Sequence, residues 1–170
     1  SDGVRLKGVL DIIPYGEDWR RAGEYLKQVM GDIGISLELR YEDVPTWLKR
    51  VYHRYDFQMN VNYFYQLPDP VLGVHRHYGT DQIRKGTHFV NSSRYSNPTL
   101  DQLLDSGAGE PDAAKRTAAY NEIQQILAND MPVVNLFELE FLVVYNNKLK
   151  GAYGSAMGAY GSFREAYLED

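Results

Sequence analysis

The residues able to do chemistry fall into four groups. His75-Arg76-His77 sets two imidazoles two residues apart. On a strand both would face one side and could begin a metal site, with His88 or Asp81 as further ligands. In a polar loop the same triplet is only solvated. Ser162, within Tyr160-Gly161-Ser162-Phe163, lacks the second glycine of a nucleophile elbow. The glycines form neither a P-loop nor a dinucleotide-binding fingerprint. Glu138 and Glu140 alternate on a strand-like run, which either gathers two carboxylates on one face or is a solvated face. None of these makes a convergent acid–base or nucleophile cluster, so neither an enzyme nor a cofactor is expected.

The fourth group is Tyr63-Phe64-Tyr65-Gln66-Leu67-Pro68-Asp69-Pro70. It follows a strand pattern in which Phe57, Met59, Val61 and Tyr63 line one face and Gln58, Asn60 and Asn62 the other. In open α/β sheets ligands bind at the carboxyl ends of parallel strands. Aromatics there, followed by a polar residue and a proline-fixed turn, would make a pocket wall with one directional contact. The alternative is a buried aromatic cluster ending in an ordinary turn. As a wall, the stretch offers Tyr63, Phe64 and Tyr65 as apolar surface and Asn60, Asn62 and Gln66 as hydrogen-bonding groups, with Arg76 as an anion contact.

These groups must be held by the elements around them. Val4 to Ile13 reads as a buried strand leaving through Pro14-Tyr15-Gly16. Glu17 to Met30 carries Trp19, Ala22, Leu26, Val29 and Met30 at helical spacing and stops at Gly31 and Gly34. Ile35 to Tyr41 alternates as a strand, which completes a right-handed β-α-β unit. Asp43 and Pro45 open a short helix with Trp47, Leu48 and Val51, and the strand from Phe57 to Tyr63 closes a second unit. From Tyr65 to Ser96 no period is found, and a loop of about 30 residues is expected to be functional. Ser96-Asn97-Pro98 and Pro111-Asp112 start two helices. Val133 to Phe137 and Phe141 to Tyr145 read as strands, and residues 146–170 as a return segment and carboxyl-terminal tail. The fold class is therefore α/β, a mostly parallel sheet flanked by helices, in one unit spanning residues 1–170.

Composition narrows the function further. The net charge of −5 gives no basic surface for nucleic acid. No apolar run approaches the roughly 18 residues of a membrane span. The absence of cysteine removes disulfides and thiolate chemistry. The 14 tyrosines suit a ligand or partner surface as well as a core edge, since each pairs a large apolar face with one polar tip.

Several segments, in order, resemble the extracellular solute-binding proteins of the peptide/nickel class that serve ABC importers. They are Ile33-Gly34-Ile35, Tyr55-Asp56-Phe57, Pro68-Asp69-Pro70, Asn91 with the run from Tyr95 to Leu104, Asp112 to Arg116 with Tyr120, and Asp130-Met131-Pro132-Val133-Val134. The resemblance implies a periplasmic-binding-protein-like (type II) lobe, the carboxyl-terminal one of two that close on a solute. It implies a missing amino-terminal lobe ahead of residue 1, a peptide or peptide-like ligand, an ABC permease as partner, and contact with the membrane only through that permease. It implies a periplasmic location, or an extracellular one with a lipid anchor. Peptide-binding relatives carry an Asp where Gln66 stands, and some carry an Arg where Asn60 stands. A neutral amide cannot replace a carboxylate opposite an ammonium. The departure points away from a simple free peptide toward a capped or modified peptide, a sugar conjugate, or a peptide anchored by the other lobe. Two alternatives stay open, a nickel or metal-chelate carrier resting on His75 and His77 and a flavodoxin-like enzyme. A sensor domain built on the same lobe is a further class.

Overall fold

The computed structural model describes residues 3–140, 142–154, 157 and 160–169. Strand β1 (Leu6–Ile12) leads into helix α1 (Glu17–Asp32) and strand β2 (Ile35–Arg40). A short helix α2 (Val44–Leu48) runs on as a π-helical turn (Lys49–Arg54), and β3 (Met59–Val61) follows. The three strands form one parallel sheet in the order β2-β1-β3, with Leu10 opposite Leu39 on one side and Met59 on the other. Parallel neighbours on both sides explain why Leu10 and Ile12, in the carboxyl half of β1, are buried, with Ile13 just beyond it.

Close packing sets the distance between helix and sheet. Gly23 of α1 lies against Ile12, whose Cδ1 would be 2.6 Å from any Cβ placed there. On the opposite face Trp47, Val51 and Tyr52 are buried, all three from α2 and its π-turn. Asp43 caps α2 by accepting from Thr46 N at 2.8 Å, a contact worth about 1 kcal/mol. Asp11 is buried near the carboxyl end of β1, 3.4 Å from Arg40 Nη1 and 3.7 Å from Arg50 Nε. Burial raises its carboxyl above the usual range despite the two guanidiniums. Arg50 also grips Glu42 at 2.6 Å and Asp56 at 2.7 Å, tying the chain after β2 to the lead-in of β3.

A helical hairpin makes the second core. Helix α4 (Pro98–Gly109) and helix α5 (Ala113–Asp130) bury Leu100, Leu104, Tyr120 and Ile123 between them. Each fully buried aliphatic side chain contributes about 1.5–3 kcal/mol. Asn97 caps α4 through Thr99 N and Leu100 N, and Asp112 caps α5 through Ala114 N and Lys115 N. Asp130, at the end of α5, accepts from Tyr95 Oη and Asn97 Nδ2, which fixes the two helices' ends together.

Two regions differ from the sequence reading. The expected loop from Tyr65 to Ser96 contains a 3₁₀ turn (Pro70–Leu72), a five-residue helix α3 (Val74–Tyr78) and a second 3₁₀ turn (Thr80–Gln82). Elements this short have no room for a period, and Gly73 and Gly79 at either end of α3 hide it as loop. The strands expected at Val133–Phe137 and Phe141–Tyr145 do not form; Phe141 itself lies outside the described residues. Val134, Phe137, Leu142 and Val144 are instead 65%, 54%, 91% and 97% exposed. An apolar alternation marks a strand only where a neighbouring strand accepts its backbone hydrogen bonds, and none is paired with it among the described residues. Among the described residues of the tail, β4 (Leu149–Lys150) and β5 (Tyr167–Leu168) form an antiparallel pair.

Candidate functional site

The carboxyl ends of β1 and β3 carry a continuous aromatic surface. Ile13 N donates to Val61 O, so the two strands leave the sheet together. Tyr15 follows β1 and Tyr63 follows β3, and their rings meet edge-on at 6.2 Å. Trp19, in the first turn of α1, packs on Tyr63 at 5.9 Å and on Phe137 at the same distance. Phe89 completes the surface between Tyr15 and Tyr52.

Tyr52 supports this surface from below. It is fully buried, and its hydroxyl accepts from Asn62 Nδ2 at 2.6 Å. Burial pushes its phenol up to about 12, so the ring stays neutral. Asn62 is thereby oriented, with its Oδ1 accepting from Tyr63 N at 2.8 Å. Asn60 sits half-buried within β3, opposite Asp11 of β1.

The stretch from Phe64 to Gln66 is pinned by helix α3. Phe64 lies over the His77 ring with centroids 3.8 Å apart. Gln66 Nε2 donates to His77 Nδ1 at 3.0 Å, which leaves the imidazole proton on Nε2. Arg76 Nη2 donates to Tyr65 O at 3.0 Å. The Gln66 amide folds over Gly73, where a Cβ would come within 1.7 Å of its Oε1. Tyr65 extends to the tail and meets Tyr160 edge-on at 5.9 Å. Seen this way, the four consecutive residues Tyr63 to Gln66 form a ledge whose conformation α3 dictates.

His75-Arg76-His77 is thus neither a strand nor a solvated loop. Its residues lie on one helical turn, where positions two apart face different directions. His75 turns to α5 and reaches Tyr120 Oη at 3.2 Å. His77 is 2% exposed and faces the ledge. Burial, reinforced by the neighbouring Arg76, pushes its pKa down to about 3; burial also lowers that of His75. The two imidazoles do not converge, and His88 lies beside His53 instead. Among the described residues no group of three or more His, Asp or Glu side chains could hold a metal ion. Arg76, expected to meet an anion, donates through Nη2 to the Tyr65 carbonyl.

The proline turn after the ledge is a second fixed point. Asp69 accepts from Val71 N at 2.9 Å and from Arg116 Nη2 at 2.8 and 3.0 Å. The Val71 amide and then Arg116 hold its carboxyl below the usual range. Pro68-Asp69-Pro70 therefore anchors the end of the ledge to α5. The sequence reading missed Tyr15, Tyr52 and Phe89 as parts of the site. Tyr15 stands at the carboxyl end of a strand, the same position that singled out Tyr63, and could have been found by it. Tyr52 and Phe89 arrive through a π-turn and a positive φ (56° at Phe89), which no periodicity announces.

No known protein-family profile matches the chain. It is 36% identical over 66 residues to Protein XP55 of Streptomyces lividans, covering 39% of this chain and 12% of the relative. It is 25% identical over 135 residues to the probable D,D-dipeptide-binding periplasmic protein DdpA of Escherichia coli, covering 79% of this chain and 25% of the relative. The chain therefore spans a quarter or less of the length of these curated relatives. Among solved structures it is similar to a periplasmic oligopeptide-binding protein of Thermotoga maritima bound to mannohexaose, with a TM-score of 0.70, 23% identity, and 78% of this chain on 26% of that one. It is similar also to NikZ of Campylobacter jejuni in complex with Ni(L-His), with a TM-score of 0.75, 17% identity, and 92% of this chain on 31% of that one. These likenesses show the fold, the α/β lobe of a type II periplasmic binding protein. Among the described residues no helix is long and apolar enough to cross a membrane. In sequence and in fold, the chain matches one lobe-sized part of the peptide, oligopeptide and nickel solute-binding proteins of ABC transporters.

Proposed function

We propose that this chain is the carboxyl-terminal lobe of the substrate-binding component of an ABC importer. It captures a peptide or peptide-like solute against an amino-terminal lobe outside the chain and delivers it to the permease. The observation that carries the reading is the aromatic ledge at the carboxyl ends of β1 and β3, held in place by α3. Parallel sheets offer their ligand sites at that edge. Tyr63, Phe64 and Tyr65 form the apolar wall, and Asn60, Asn62 and the Gln66 carbonyl supply directional contacts. Arg76 acts through Tyr65, as a positioning residue.

The chemistry of the ledge selects the solute. Its groups are phenols and amides, with no free carboxylate to hold an ammonium. A capped or modified peptide or a sugar-bearing one fits it better than a short zwitterion. The exposed residues described between Val134 and Tyr145 form the surface that the amino-terminal lobe covers, since the matched structures are about three times the length of this chain. Closure of the two lobes shifts toward the closed form by the solute's differential affinity for it. The role is binding and not catalysis, and the protein works in the periplasm or outside the membrane on a lipid anchor. Mass spectrometry of small molecules co-purifying with the full-length protein tests the reading. Peptide-like masses are expected; a nucleotide, or a turnover product of one, would overturn it.

A further inference from the structure

His53 and His88 lie with their Nε2 atoms 3.0 Å apart in solvent-exposed positions. His53 comes from the π-helical turn and His88 from the chain that follows Thr80–Gln82. Their proximity is built by unusual backbone on both sides. The π-turn ends at Tyr55 in the left-handed region, with φ 53°. Gly86 and Phe89, which flank His88, take φ of 89° and 56°. Gly86 N donates to Tyr52 O at 2.8 Å and clamps this loop onto the π-turn. The His88 ring packs on the Tyr52 ring at 5.8 Å. Single π-turns and non-glycine residues at positive φ gather at functional sites, because the rest of the fold must over-determine them.

The geometry points to a two-imidazole chelate for a divalent transition-metal ion of the Ni²⁺, Cu²⁺ or Zn²⁺ kind, separate from the solute ledge. Metal–nitrogen bonds of about 2.0–2.1 Å at angles of 90–109° hold two ligand nitrogens about 2.8–3.4 Å apart. The observed 3.0 Å falls inside that window. Imidazole is the ligand that suits these ions. Without an ion, the 3.0 Å contact is a hydrogen bond when one ring carries its proton on Nε2 and the other on Nδ1. On binding, the Nε2 proton moves to Nδ1 of its own ring, so both Nε2 lone pairs face the ion. The pair supplies two cis positions. Both histidines are exposed, so water or a small chelator takes the remaining positions.

The test uses the full-length protein, calorimetry with NiCl₂ and ZnCl₂, and the variants His53→Ala and His88→Ala. Wild type is expected to bind one ion per chain. Each variant should weaken that binding by about tenfold or more, since loss even of a ligand's supporting partner costs that much. The ion should raise the melting temperature of wild type and not of either variant. Both side chains are exposed, so the variants are expected to fold, which circular dichroism checks. No binding to wild type, equal binding to wild type and both variants, or a loss confined to one variant would overturn the chelate.

Discussion

Gln66 and His77 form the contact on which the ledge depends. The Gln66 side chain is held between Gly73 beneath it and the imidazole it donates to, 3.0 Å away. The bond takes a residue at the solvent surface and fixes it to one that is 2% exposed. Gln66→Ala therefore leaves the buried Nδ1 of His77 without its donor. A loss of about 1–3 kcal/mol is expected, measured by urea unfolding. Unchanged stability would mean that the amide is not holding the ring.

Gly73 provides the space for that amide, so its replacement should be coupled to Gln66. A Cβ at Gly73 would sit 1.7 Å from Gln66 Oε1 and 2.8 Å from its Cδ. Gly73→Ala should expel the side chain and lose the His77 bond. In the Gln66→Ala background the 1.7 Å and 2.8 Å clashes are gone and the 3.3 Å approach to the Cα of residue 66 remains, so the cost of the same change should fall by about 1 kcal/mol. A four-member unfolding cycle measures the coupling; simple additivity would contradict it.

Acid stability should carry the mark of His77. Its folded pKa is about 3, against 6.5 for the free side chain. The unfolded chain therefore binds the proton more readily, and the His77 contribution is complete above pH 6.5 and lost as the pH falls toward 3. The slope reaches at most about 1.4 kcal/mol per pH unit. Asp11 acts in the opposite sense, because its carboxyl is raised and its protonation favours the folded chain. Comparing wild type with His77→Gln cancels Asp11, and the variant should show the shallower loss of stability below pH 6.5. Parallel curves for the two proteins would remove His77 as the cause.

Much of this fold was legible because its signals are local. Asn97 and Asp112 announce their helices by capping chemistry, and both caps are made as expected. The apolar run of β1 needs only a parallel neighbour on each side, and the two β-α-β steps supply β2 and β3. The ledge from Tyr63 to Gln66 was visible as aromatics at a strand's end. Its support was not. Helix α3 is five residues long, and the roles of His75 and His77 depend on which way each turns from that one turn of helix. Tyr52 belongs to the core only because a π-turn lets it be buried next to Val51. The run from Val133 to Tyr145 misled for the opposite reason. Its alternation is real, but the surface that would complete it is not among the described elements of this chain.

Tyr65 gives the most direct access to the central claim. Its ring contacts only Tyr160 among the described aromatic pairs, so its removal should spare the core. Affinity-selection mass spectrometry of the full-length protein, with a library of N-acetylated and free tri- to pentapeptides, compares wild type with Tyr65→Ala. The account predicts that wild type retains peptides, acetylated ones no less than free ones. The variant should hold the same peptides at least about tenfold more weakly, with an unchanged melting temperature. Equal retention by the two proteins would contradict the account.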